Sequence, residues 1–210
     1  MCARYYLDNE VDTGLFKIFG EGLSYPERKA DKEKDICPSD EGLVIVKSFS
    51  ESTGMEGPDE GKADHQGSYG GELIKWGYPC YDGKGLIINA RIENIEERKS
   101  FANGIINNRC LIPASGFYEW DDNKDKVTFK SPDSDMFLFG GIYDVFNGEK
   151  RFAIITCDAN DSMKPVHDRM PFVIPASEKD KWFSGDFREL YDLRVPEFKV
   201  IREFEQMSLF

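Results

Sequence analysis

The chain is poor in the residues that would commit it to a metal site, a membrane or general adhesion to nucleic acid. Only two histidines occur in 210 residues. The cysteines, Cys2, Cys37, Cys80, Cys110 and Cys157, are scattered, with no CxxC pair and no zinc-finger spacing. That pattern excludes a zinc framework and reads as free thiols in a reduced, cytoplasmic protein. No apolar run approaches the roughly 18–20 residues of a membrane span. No basic segment followed by an apolar stretch opens the chain, so a secretory signal is not expected. Cations are outnumbered, 27 Lys+Arg against 39 Asp+Glu, a formal net charge of -12. This argues against sequence-independent adhesion to DNA or anionic lipid, though not against a small local basic patch. Without a phosphate loop, a dinucleotide fingerprint or a pyridoxal-lysine context, no cofactor is expected.

Apolar residues, by contrast, are sufficient for a core: 40% of the chain, with 16 Phe. The length fits one domain, 1–210. Short β-branched and aromatic runs at 42–49, 72–78, 85–93, 110–120, 126–130, 136–146, 151–157 and in the tail from Phe198 read as strands. Turn signals such as Asn147-Gly148 separate several of them. Apolar spacing predicts a helix over about 94–106, and Ser177 with Asp180 resembles a capping box for another short one. LFKIFGEGL is too short and Gly-broken for a long helix. The charge run 27–35 reads as a solvated helix end or loop. Residues 50–71, acidic and rich in Gly and Ser, read as a surface loop in which His65 is inert. The sum is an α+β fold, strand-rich and mostly antiparallel, with a barrel-like sheet and a few short helices.

Cys2 is the most informative residue. Removal of Met1 would make it the N-terminus, with an α-amine and a thiol on adjacent carbons. Both groups are partly in their nucleophilic forms near neutral pH, at ordinary pKa values of about 7.7–8.0 and 8.5. An aldehyde can form an imine with such an amine, after which the thiol closes a five-membered thiazolidine. An internal cysteine cannot do this, because its nitrogen is locked in an amide.

Three further stretches stand beside Met1-Cys2-Ala3-Arg4-Tyr5: Asn89-Ala90-Arg91-Ile92-Glu93, the run Arg109 to Trp120 (RCLIPASGFYEW), and His167-Asp168-Arg169-Met170-Pro171. In this order, from Cys2 to about Pro175, they resemble the signature of the SOS-response-associated peptidase (SRAP) family. The resemblance implies a sensor of abasic sites in single-stranded DNA. Its N-terminal cysteine, freed of Met1 autocatalytically or by an aminopeptidase, would form a thiazolidine crosslink with the ring-opened sugar. Crosslink reversal and lyase action on the lesion would accompany it. No membrane or metal partner is implied, a monomer is the default, and the location would be cytoplasmic, at the nucleoid when bound to damaged DNA.

The same resemblance assigns roles. Cys2 is the nucleophile. Asn89 orients the amine and a sugar oxygen, an amide being both donor and acceptor. Glu119 shuttles protons, a role that partial burial between Tyr118 and Trp120 would favour by raising its pKa. His167 assists ring opening. Arg4, Arg91 and Arg169 face the DNA backbone, with Arg109 and Lys164 adding charge, and Trp76 stacks on a base. Plainer readings stand beside each: Arg91 pairing with Glu93, a half-exposed strand carboxylate for Glu119, His167 bonded to Asp168, and a core tryptophan for Trp76. Three departures from the family pattern concern Ala3 in place of glycine, Tyr81 in place of a second tryptophan, and Asp35, whose carboxylate would repel phosphate. The alternative function is an N-terminal-nucleophile thiol peptidase or amidase using Cys2, Glu119 and His167 on peptides. A noncatalytic single-strand binding module is a third reading.

Overall fold

A computed structural model describes residues 2–26, 34–48 and 68–202. Its strands are β1 (Tyr5–Leu7), β2 (Lys34–Ile36), β3 (Glu41–Ser48), β4 (Ser68–Trp76), β5 (Tyr78–Pro79), β6 (Leu86–Ile87), β7 (Asn89–Arg91), β8 (Arg109–Ala114), β9 (Gly116–Trp120), β10 (Lys126–Lys130), β11 (Phe137–Phe146), β12 (Glu149–Asp158), β13 (Arg169–Pro171) and β14 (Lys199–Arg202). Three short helices, α1 (Val11–Phe19), α2 (Lys99–Asn107) and α3 (Lys179–Phe183), flank them.

The larger sheet runs β11-β8-β3-β4-β12, and β12 pairs back onto β11, so the five strands close into a barrel. Closure removes the unpaired edges an open sheet would expose. The β11–β12 connection is the Asn147-Gly148 turn, with φ of 52° and 83° at its two residues, as the mirror-image hairpin turn requires. Leu43, Val44 and Ile45 of β3 are all buried, the mark of a strand covered on both faces. Gly141 lies where strands approach closely: a Cβ there would stand 2.1 Å from Ile112 Cδ1. β12 also carries β7, in parallel, and β13. A second sheet, β14-β10-β9-β1-β2, is antiparallel. Phe117 stacks on Phe129 at 5.0 Å and meets Phe139 edge-on at 5.8 Å, which joins the two sheets through one aromatic cluster.

Several boundaries differ from expectation. Residues 68–71 belong to β4, not to a loop, because they complete the β3 ladder from Ser48↔Ser68 to Ile45↔Gly71. Residues 50–67, with His65, lie outside the described residues, as do 27–33 of the charge run and 203–210 of the tail. Lys34 and Asp35 are strand, paired with β1. The expected helix 94–106 resolves into a 3-10 turn (Ile92–Asn94) and α2, because Arg98 takes an extended ψ of 116° between them. Ile92, Ile95, Phe101 and Ile105 are nevertheless all buried, so the periodicity reported a real face. Ser177 sits inside a 3-10 turn, Ala176–Glu178, and caps nothing; α3 starts after Glu178 without a side-chain cap. The run 110–120 divides at Ser115, whose N–H donates to Tyr6 O at 2.9 Å.

Candidate functional site

Period-two alternation along β9 places the first catalytic candidate. Phe117 faces the core, so Glu119, two residues on, shares its inward side and is only 6% exposed. Tyr118 N–H donates to Arg4 O at 3.0 Å, which laces the N-terminal segment to β9. Continuing the register beyond Tyr5↔Phe117 sets Glu119 level with Ala3. Tyr5, packed on Trp76 at 5.4 Å, anchors β1 against the barrel and delivers Cys2 to the top of that ladder.

Cys2 has no accessible surface, and its Sγ lies 3.8 Å from Arg4 O. Burial raises its thiol pKa far above the ordinary value, and the nearby Glu119 charge raises it further. Asn89, 9% exposed on β7, donates from Nδ2 to Cys2 O at 3.0 Å. Its Oδ1 has no partner among the described residues. The parallel ladder Ile154↔Asn89 to Thr156↔Arg91 fixes where that amide stands. Cys2, Asn89 and Glu119, up to 117 positions apart in the chain, therefore meet at one point.

His167 lies in the turn that enters β13. The register Asp158↔Arg169 places its turn just past the end of β12. The turn is closed by His167 N–H to Met163 O at 3.0 Å, and Arg169 N–H donates to Nδ1 at 2.9 Å. An Nδ1 that accepts leaves the proton of the neutral ring on Nε2.

The arginines divide. Arg91 is exposed and makes no ion pair among the described residues; Glu93, its expected partner, binds Arg169 instead. Arg4 is part-exposed, 3.7 Å from Asp35, with its guanidinium 5.4 Å from the Trp120 ring centre. Arg169 is turned inward, with its side chain 10% exposed. Its fork is spent on Glu93 at 2.7 and 2.9 Å, on Asp158 and on Thr156 O at 2.8 Å. Arg109 is likewise structural, donating to Trp182 O, Ile105 O and Ser184 O, with burial lowering its pKa. Trp76 is not a stacking platform. It has no accessible surface, donates from Nε1 to Ile88 O at 2.9 Å and stacks on Phe152 at 6.0 Å.

Two residues on the strands that carry the candidates or pair with them were not singled out from the sequence. Trp120 is 38% exposed on the outward side of β9, next to Glu119. Alternation from Phe117 was the signal that could have found it. Thr156, fully buried, carries a hydroxyl with no partner among the described residues, on the sheet face it shares with Asn89 and Arg91. Nothing in its sequence neighbourhood marked it. A cavity of about 270 Å³ opens beside Asn89, walled by Ile87, Arg91, Asn94, Arg98, Ser100 and Phe101. A larger apolar one, about 450 Å³, lies between α1 and residues 173–176 and contains none of the candidate residues.

The model of the family described as SOS response associated peptidase (SRAP) matches residues 1–205. The abasic site processing protein YoqW of Bacillus subtilis is 28% identical over 198 residues, 88% of this chain and 80% of that one. The abasic site processing protein HMCES of Gallus gallus is 27% identical over 149 residues, 57% of this chain and 43% of that one. A crystal structure of a phage-related protein from Bordetella bronchiseptica superposes with a TM-score of 0.71 at 21% identity, covering 96% of this chain and 93% of the other.

Proposed function

Since the chain belongs to the SOS response associated peptidase (SRAP) family, we propose that it processes abasic DNA by capturing the ring-opened sugar on Cys2 in single-stranded DNA. The observation that carries this reading is the 3.0 Å bond from Asn89 to the Cys2 carbonyl, with the buried Glu119 beside the same residue. A cysteine in the second position is held by its own backbone in a polar corner of an otherwise apolar core. Positioning of that kind is what a nucleophile needs and a core cysteine does not.

The steps follow from the chemistry of the pair. Water hydrolyses the Met1–Cys2 amide, releasing methionine and the α-amine. His167, with its proton on Nε2, serves the exchange between the sugar hydroxyl and ring oxygen that opens the hemiacetal to the aldehyde. The amine adds to the aldehyde carbon, and loss of one water gives the imine. The thiol then adds to the imine carbon while its proton passes to the nitrogen, closing the thiazolidine. Net, amine, thiol and aldehyde give the ring plus water. Glu119 carries protons in the addition and dehydration steps. In the chain that retains Met1, burial, with the Glu119 charge, pushes the Cys2 thiol pKa up and disfavours the thiolate. Run backwards with the same groups, the sequence reverses the crosslink, and the imine stage permits lyase action. Arg91 and Arg4 would hold flanking phosphates, and Trp120 and the fully exposed Tyr81 would stack on bases.

The test is a denaturing gel of purified protein mixed with a single-stranded oligonucleotide bearing one abasic site. A covalent band with the wild type that disappears in Cys2→Ala supports the reading. Turnover of a peptide through an acyl-enzyme, with no aldehyde-dependent band, would support the peptidase alternative instead.

A further inference from the structure

We infer that the N-terminus of α2, with Arg98 and Ser100, forms a seat for one backbone phosphate of the captured strand, in a cavity that Arg91 also lines. This rests on the reading of the site as one for abasic DNA and adds residues that the sequence signature did not mark. The cavity beside Asn89 is lined by Arg91 and by Arg98, Ser100 and Phe101, residues at the start of α2.

Four observations converge on an anion. The helix starts without any side-chain cap and without an acidic residue in its first turn. Helix N-termini normally carry one or the other to satisfy the exposed N–H groups and the positive end of the dipole. Phe101 and Ala102 N–H both turn back to Arg98 O, which leaves the Lys99 and Ser100 N–H groups without an acceptor among the described residues. Arg4, Arg151, Arg169, Arg188 and Arg202 each pair with a carboxylate and Arg109 is spent on backbone carbonyls, whereas Arg91 and Arg98, like Arg194 away from the cavity lining, pair with none among the described residues, in a chain of net charge -12. Finally, Asn89, 91% buried, lines the same cavity with an unpartnered Oδ1. An amide oxygen does not bind phosphate; it accepts from a hydroxyl or amine. The cavity thus offers an acceptor for a sugar hydroxyl at its Cys2 end and donors for a phosphate at its α2 end, as a nucleotide unit requires.

The experiment uses the full chain and a single-stranded oligonucleotide carrying a tetrahydrofuran abasic analogue, which has no aldehyde and cannot crosslink. Fluorescence anisotropy over a salt series reads reversible affinity. Arg98→Ala is expected to weaken binding about five- to tenfold. The slope of log K against log salt should shrink by about 0.7, one single-strand phosphate contact. Ser100→Asp is expected to weaken binding while holding or raising Tm, because an acid in the first turn favours the helix as it repels the phosphate. Opposite directions in binding and stability exclude simple unfolding. Lys17→Ala, on α1 at the other cavity, should leave the slope unchanged. The inference is overturned if Arg98→Ala and Ser100→Asp bind like the wild type, or if Lys17→Ala reduces the slope as much as Arg98→Ala. Its failure is separable from that of the function: the function fails when the wild type gives no covalent band on aldehyde-bearing DNA. The phosphate seat fails when that band is intact and these affinities do not move.

Discussion

Replacing Arg169 separates a structural arginine from a DNA-binding one. Its guanidinium makes four bonds: two to Glu93, one to Asp158 and one to Thr156 O. The Arg169 side chain is 10% exposed, while those of Glu93 and Asp158 are 47% and 89% exposed. In Arg169→Met the two carboxylates regain water, so their share of the loss is small, about 1 kcal/mol in total. The Thr156 carbonyl lies in a residue with no accessible surface, and losing a charged donor there costs about 1–2 kcal/mol. The sum is about 2–3 kcal/mol. In a chain of this size each kcal/mol moves Tm by about 2–4 °C, so a drop of about 4–12 °C is expected. Arg169 N–H also holds His167 Nδ1, so crosslinking of the surviving folded protein should slow as the imidazole loosens. Arg169→Lys keeps the charge but not the fork, and should lose most of the same stability. Differential scanning fluorimetry and urea denaturation measure the first effect, and anisotropy on uncrosslinkable DNA the second. A Tm within about 2 °C of the wild type, with reversible DNA affinity reduced in Met and retained in Lys, would refute the reasoning and make Arg169 a phosphate ligand.

Other consequences follow from the same geometry. Glu119→Gln preserves shape and removes proton transfer, so the crosslinking rate should fall by about 10²–10⁴ while Tm holds, checked by gel time courses. In the chain that retains Met1, alkylation at pH 8 should label Cys37 and Cys80 and spare Cys2, Cys110 and Cys157, read by peptide mass spectrometry. Cys2 and Cys110 are buried, and burial pushes the Cys157 thiol up to about 12. The hydroxyl of Tyr69, aided by Lys179 and Lys47, holds the Asp180 carboxyl down at about 2. A depressed carboxyl contributes stability above its unfolded value of about 3.9 and loses it as pH falls through 2. Asp180→Asn should therefore flatten the fall in Tm between pH 4 and 2, and an unchanged slope would count against the cluster.

Strand content and the barrel were legible because alternation and β-branched runs report burial directly: 126–130 matches β10 at both ends. The three segments that meet at Cys2 were legible only as a family resemblance, since spacing along the chain carries no information about a β1–β9 register or a β7–β12 ladder. Arginines were the weakest ground. Arg169 and Arg91 stand alike in sequence beside Glu93 and Asp168, yet one is locked inward and the other has no ion-pair partner among the described residues, a choice made by where β13 pairs along β12. Trp76 was ambiguous because a tryptophan before glycine suits a stacking platform and a packed core equally. The extended ψ at Arg98 settles the start of α2, and no periodicity of apolar residues signals it.

The central claim is that a freed Cys2, and nothing else in the chain, bonds to the sugar. Intact-mass spectrometry of protein incubated with an abasic single-stranded oligonucleotide reads it directly. The account predicts one adduct, equal to the chain without Met1 plus the oligonucleotide less one water, on a peptide beginning at Cys2. An adduct of the same yield on the chain that keeps Met1, or on Cys2→Ala, would contradict it.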